Sequence, residues 1–239
     1  MFQSIIYTFF LISLVAYSPF DGLILPPCKP ENSKRPFILS NETPQQEILS
    51  ELSKIPSLEH GVHIGWSIEM NYKILATRKP KLAFLCDISS HVLEFYESFK
   101  QVLLDSNSSE EFLEQLQSFF LNNPSVLRYT KYKARQIDQL IERYATWMVI
   151  DDNFSYLKRM YQEEKILHLV LNMEDQEDRF DKIASWIKAN NYKIDTVYTS
   201  NIKSVLPHQE LFDLNLAKLI WQETIYICAN RNAELEILY

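Results

Sequence analysis

Asp87 closes the continuous apolar run Leu82-Ala83-Phe84-Leu85-Cys86 and stands 22 positions after Gly65, which ends the shorter run Gly61-Val62-His63-Ile64. A turn after one strand and a carboxylate closing the next is an arrangement that holds a ribose. The turn's backbone N–H groups face the ligand, and the carboxylate accepts hydrogen bonds from the ribose hydroxyls. In open α/β sheets ligands bind beyond the carboxyl ends of the strands, near the point where strand order reverses. Four segments of this chain would meet there: residues 65–71, Asp87 with Ser89 and Ser90, residues 172–176, and Ser200-Asn201. The expected partner is a small nucleoside-type ligand. A strand-ending aspartate is also a common helix cap, and spacing by itself leaves that alternative open.

Other constellations are poorer. His60 and His63 are three apart with no third ligand nearby, and Cys28, Cys86 and Cys228 have no metal-ligand spacing, so no metal is expected. The only glycines are Gly22, Gly61 and Gly65, and none flanks a serine as a hydrolase nucleophile requires. Glu174, Asp175, Glu177 and Asp178 gather at a helix start, where they complement the helix dipole.

The elements that must position these residues follow from hydrophobic periodicity. Thr43-Pro44-Gln45-Gln46 signals a helix start, with Thr43 as the hydroxyl cap and proline at the first helical position, and Ile48, Leu49, Leu52 and Ile55 lie on one face. Runs without alternation at residues 82–86, 166–171 and 194–198 suit strands buried on both faces of a parallel sheet. The stripe Phe180, Ile183, Ala184 and Ile187 places a helix between the last two of these, making a βαβ unit. Residues 90–163 read as a helical insert between strands 2 and 3, with a capping box at Ser108-Ser109-Glu110-Glu111. Residues 224–228 and 234–238 read as a C-terminal antiparallel hairpin. The predicted class is therefore α/β: a mostly parallel sheet with a helical insert and a terminal antiparallel hairpin.

The chain has 239 residues and a formal charge of −7, with 46% hydrophobic and 23% charged residues. That composition excludes a disordered chain, and the net acidity argues against nucleic acid as partner. Residues 1–20 carry no charged side chain, and Asp21 ends the run. Their length just suffices to span a bilayer, which predicts a signal or anchor segment at residues 1–20 and a linker at residues 21–42. The main domain is expected over residues 43–239. Membrane association or export through residues 1–20 is the expected localisation. Lys29, Lys34 and Arg35 after the run favour the cytoplasmic side, and export stays open.

From about residue 38 to residue 229 the chain resembles a family of uncharacterised bacterial proteins with a Rossmann-like, class I methyltransferase-type fold. The resemblance is carried by HGVHIGWSIEMNY at residues 60–72, KPKLAFLCDIS at 79–89, NFSYLKRM at 153–160, VYTSNI at 197–202 and Ser40-Asn41-Glu42. It implies a seven-strand methyltransferase-type sheet and S-adenosylmethionine as cofactor. Gly65, Ser67 and Glu69 would line its methionine side, Asp87 would hold the ribose, and Asn201 would face the acceptor. Trp66 would either stack on an adenine or plug the pocket. The family's Gly-x-Gly is here Gly65-Trp66-Ser67, and its two arginines after the aspartate are Ser89 and Ser90. The resemblance implies no known reaction. Two functions follow: a methyltransferase-like protein that binds S-adenosylmethionine, or a non-catalytic derivative that binds partners through its insert.

Overall fold

The structure is a computed structural model, and it describes residues 18–31, 39–150 and 152–238. Six strands form one sheet in the order β3-β2-β1-β4-β5-β6. They are β1 (Gly61–Trp66), β2 (Leu82–Asp87), β3 (Ile166–Val170), β4 (Lys193–Tyr198), β5 (Ile225–Ala229) and β6 (Leu235–Leu238). All neighbours pair in parallel except β5 and β6, whose antiparallel register sets Ile227 opposite Ile237. The α/β class, the parallel sheet and the terminal hairpin agree with the expectation. Six strands are present among the described residues, against the seven that the resemblance implies.

Alternation along the central strands sends side chains into two cores. Val62, Ile64, Trp66, Phe84 and Cys86 face α8 (Arg179–Ala189) and α9 (Gln209–Leu219), meeting Phe180, Ile183 and Phe212. Ala83 and Leu85 face α2 (Glu69–Arg78) and the insert. The insert comprises α3 (Ser90–Asp105), α4 (Ser109–Asn122), α5 (Pro124–Tyr129), α6 (Ile137–Met148) and α7 (Asn153–Gln162), between β2 and β3 as expected. The cap at α4 forms: Ser108 Oγ accepts from the Glu111 N–H at 3.2 Å. The cap expected at Thr43 does not. α1 (Gln45–Lys54) begins one residue after Pro44 and has no side-chain cap. β3 also departs from expectation. It lies at the sheet edge, and only Ile166 of its five residues is fully buried.

The expected membrane attachment through residues 1–20 is corrected. Among the described residues no helix is long and apolar enough to cross a membrane. Phe20, the last residue of the apolar run, is buried in the core, with its ring 5.1 Å from Phe84 and 5.8 Å from Trp186. Residues 1–17 of that expectation lie outside the described residues. The stretch after Phe20 is tied down as well. Trp186 Nε1 donates to the Asp21 carbonyl at 3.1 Å, Arg179 Nε donates to Pro26 O at 3.0 Å, and the Glu31 N–H reaches Ile88 O at 2.8 Å.

A candidate ligand cavity at the strand ends

A cavity of about 610 Å³ opens at the carboxyl ends of β1, β2, β3 and β4, inside the range of roughly 300–1,000 Å³ of ligand sites. Strand order reverses between β1 and β4, the topological position where α/β sheets bind ligands. Of the residues singled out in the sequence, Trp66, Ser67, Asp87 and Asn201 line it, and Ser40, Asn41 and Ser89 join them. Gly65 and Glu69 stand outside the lining. A second cavity of about 630 Å³ lies near Leu58, Lys193 and Trp221, at the start of β4 and so at the opposite end of the sheet. The strand-end cavity is the one that gathers the expected segments.

The turn after β1 is built on a side-chain chain that single-sequence reasoning missed. Ser67 has φ of 70°, the left-handed region that glycine favours. Its carbonyl is held by Asn71 Nδ2 at 2.6 Å and by the Tyr96 hydroxyl. Asn71 Nδ2 also donates to the Trp66 carbonyl at 3.0 Å. Asn71 Oδ1 can only accept, which assigns the proton of His63 to Nε2, 3.0 Å away. His63 Nδ1 then accepts from Thr196 Oγ1 at 2.7 Å. Burial lowers the pKa of His63 to about 4, so the ring is neutral at physiological pH. Gly65 belongs to this network. A Cβ there would stand 1.8 Å from Asn71 Oδ1 and 2.6 Å from His63 Nε2. Space for Asn71, rather than approach of a ligand, accounts for that glycine.

Trp66 neither stacks in the cavity nor fills it. Its Nε1 donates to Leu171 O at 3.0 Å, and its ring lies parallel to Phe180 with centroids 6.2 Å apart. At 2% exposure it is a wall residue belonging to the core behind the cavity.

Asp87 is the titratable group at the floor. Burial raises its pKa from 3.8 to about 6, and the N–H groups of Ser89, Ile88 and Ser67 offset part of that rise. Ser89 N donates to Asp87 Oδ1 at 2.8 Å. A folded-state pKa above the unfolded value means that stability falls as pH rises from about 4 to about 6. Above that window, keeping the carboxylate ionised costs the fold about 3 kcal/mol at most, less what solvent screening recovers. A ligand that brings hydrogen-bond donors to Asp87 would offset that penalty.

Two buried carboxylates fix the rim. Glu69, fully buried at the start of α2, pairs with Lys73 at 2.7 Å and with the Arg143 guanidinium of α6, whose Nε stands 2.7 Å from Oε1. The Ser40 N–H donates to its Oε2 at 3.2 Å, and Arg143 also donates to the Ser40 carbonyl. Glu42, 2% exposed, accepts from Ser40 Oγ at 2.7 Å and from the hydroxyls of Tyr198 and Ser200. The segment Ser40-Asn41-Glu42 is thus clamped to α2, to the insert and to the end of β4. Glu69, expected to line a methionine site, anchors that segment instead.

Among the described residues no cluster of three or more His, Cys, Asp or Glu side chains converges as metal ligands would. No curated protein matches the chain. The model of a family described as a domain of unknown function, DUF7790, matches residues 37–120 and 116–234. Those two stretches carry all the parallel strands, the insert and the cavity-lining turns, and the chain belongs to the DUF7790 family.

Proposed function

We propose that the strand-end cavity binds a nucleoside ligand of the S-adenosylmethionine type, on a methyltransferase-type Rossmann-like sheet. The observation that carries this reading is Asp87: a partly buried carboxylate closing β2, braced by backbone N–H groups and facing the cavity next to the β1 turn. Such a carboxylate suits the two hydroxyls of a ribose. The strand order and the antiparallel β6 support the methyltransferase-type reading of the sheet. Ser67 and Asn201 would contact the remainder of the ligand from the ends of β1 and β4.

Catalysis is a separate step. Methyl transfer depends chiefly on aligning an acceptor with the sulfonium methyl, so no general base is assigned. Ser67 favours a second reading, a non-catalytic derivative of the fold that binds partners through its insert. Its side chain occupies a turn position where the resembling family has glycine, and it limits how closely a ligand meets the backbone.

Thermal unfolding of the full chain tests the binding claim. At 100 times its dissociation constant, S-adenosylmethionine or S-adenosylhomocysteine should add about 2.7 kcal/mol, raising Tm by roughly 5–10 °C. Asp87→Asn should fold at least as well at pH 8, because the burial penalty on the carboxylate is gone, and it should lose the ligand-induced shift. A folded wild-type protein with no shift from either ligand would refute the reading.

A further inference from the structure

The insert grips the turn that carries Ser67. Trp66 pairs with Cys86 in the parallel ladder of β1 and β2, so Ser67 and Asp87 follow side by side at the cavity. The Ser67 N–H is one of three that brace the Asp87 carboxylate. The carbonyl of the same residue accepts from the Tyr96 hydroxyl and from Asn71 Nδ2 at 2.6 Å. Tyr96 is fully buried on α3, one turn after the cavity-lining Val92, and its ring stacks on His168 with centroids 4.8 Å apart. Its hydroxyl also accepts from Asn71 Nδ2 at 3.2 Å. Ser67 needs such a hold. Its φ of 70° crowds a Cβ, and a serine released from that turn would relax toward negative φ and carry its N–H off the carboxylate.

We infer that Tyr96 is a positioning residue for this cavity: its hydroxyl holds the Ser67 peptide in the left-handed turn and so keeps the Ser67 N–H on the Asp87 carboxylate. The inference rests on the proposed role of Asp87, and it gives the insert a part in the site. Removing the hydroxyl deprives the carboxylate of a donor at one remove, which favours its protonated form. The other groups near Asp87 are unaltered by that change. They are the N–H groups of Ser89 and Ile88, the Cys86 thiol on the same strand, and Glu31 and Glu174 on the cavity lining. From β3, Val170 stands opposite Asp87 and carries no charge.

Carbon-detected NMR titration of the Asp87 carboxyl in the full chain, assigned with Asp87→Asn, reads this without a ligand. Tyr96→Phe keeps the ring on His168, and it should strengthen proton binding at Asp87 by about threefold, moving the midpoint up from about 6. S-adenosylhomocysteine should bind that variant about three- to fivefold more weakly at pH 7.5. In a Ser67→Gly background, where glycine adopts the left-handed turn unaided, Tyr96→Phe should change proton binding by less than about 1.5-fold. Should Tyr96→Phe not fold, Ser67→Val, whose β-branched side chain resists that turn, should raise the midpoint likewise. A folded Tyr96→Phe or Ser67→Val protein that titrates as wild type would overturn the inference. So would a Tyr96→Phe shift of the same size in the Ser67→Gly background. Because the titration needs no ligand, it decides the positioning role by itself. A folded wild-type protein that binds no adenosyl ligand refutes the nucleoside reading alone.

Discussion

Glu69→Ala is expected to destabilise the protein by about 3–5 kcal/mol, because removing one partner leaves the others as uncompensated charge in a buried place. Lys73 is 5% exposed, and burial already lowers its pKa, with Glu69 as the opposing influence that keeps it charged. Without Glu69, the nearby Arg143 guanidinium also disfavours the ammonium. The Ser40 N–H loses its acceptor in the same step. For a chain of this length the corresponding fall in Tm is about 6–20 °C. Glu69→Gln keeps an acceptor for Ser40 and removes only the charge, so it should fall between wild type and Glu69→Ala. Denaturant titration of the three proteins checks the order. A Glu69→Ala protein within about 1 kcal/mol of wild type would show that the rim does not depend on this clamp.

Gly65→Ala is the second large effect. The added Cβ would meet Asn71 Oδ1 at 1.8 Å, far inside any real contact, and the strand end leaves it nowhere to move. Overpacking alone costs about 1–3 kcal/mol. If Asn71 withdraws, His63 Nε2–H and the Trp66 carbonyl lose this partner, each worth about 1–3 kcal/mol when buried, while the Ser67 carbonyl keeps the Tyr96 hydroxyl. The expected loss is about 3 kcal/mol or more, read by equilibrium unfolding. In an Asn71→Ala background the same substitution should cost less, since the nearer of the two atoms it strikes is absent and only the 2.6 Å approach to His63 Nε2 remains. A glycine kept only for ligand approach would behave differently: Gly65→Ala would leave stability unchanged and lower affinity alone.

The frame of this fold was legible because its strands announce themselves. Leu82–Cys86 has no alternation, and the structure buries all five of those residues in the sheet interior. Residues 166–171 have the same signature and sit at an edge, because periodicity reports apolar side chains and not the number of neighbouring strands. α9 escaped the sequence reading for a related reason. Its segment Leu211-Phe212-Asp213-Leu214-Asn215-Leu216 mixes period two with period 3.6. Its polar Asn215 is buried for a tertiary purpose, donating to the carbonyls of Met173 at 3.0 Å and Asp175 at 2.8 Å. Asp87, Ser67 and Asn201 line the cavity, and strand-end position is what makes cavity-lining residues legible in such sheets. The clamp on the rim was not legible. Glu69 meets Ser40 across 29 positions and Arg143 across 74, and no local pattern encodes an ion pair between separate elements. Gly65 was noticed for its position, and its reason, the reach of Asn71, exists only in three dimensions.

The central claim is that Asp87 receives a ribose, and the pH dependence of binding tests it most directly. Because the Asp87 carboxyl titrates at about 6, its ionised form dominates above pH 7 and is roughly a tenth of the total at pH 5. Calorimetric titration of S-adenosylhomocysteine into the full chain should give a flat Kd from pH 7 to 8. Kd should then rise by about tenfold at pH 5, with a midpoint near pH 6 that disappears in Asp87→Asn. Binding that is equally tight at pH 5 and pH 8, or unchanged by Asp87→Asn, would contradict the assignment of this cavity.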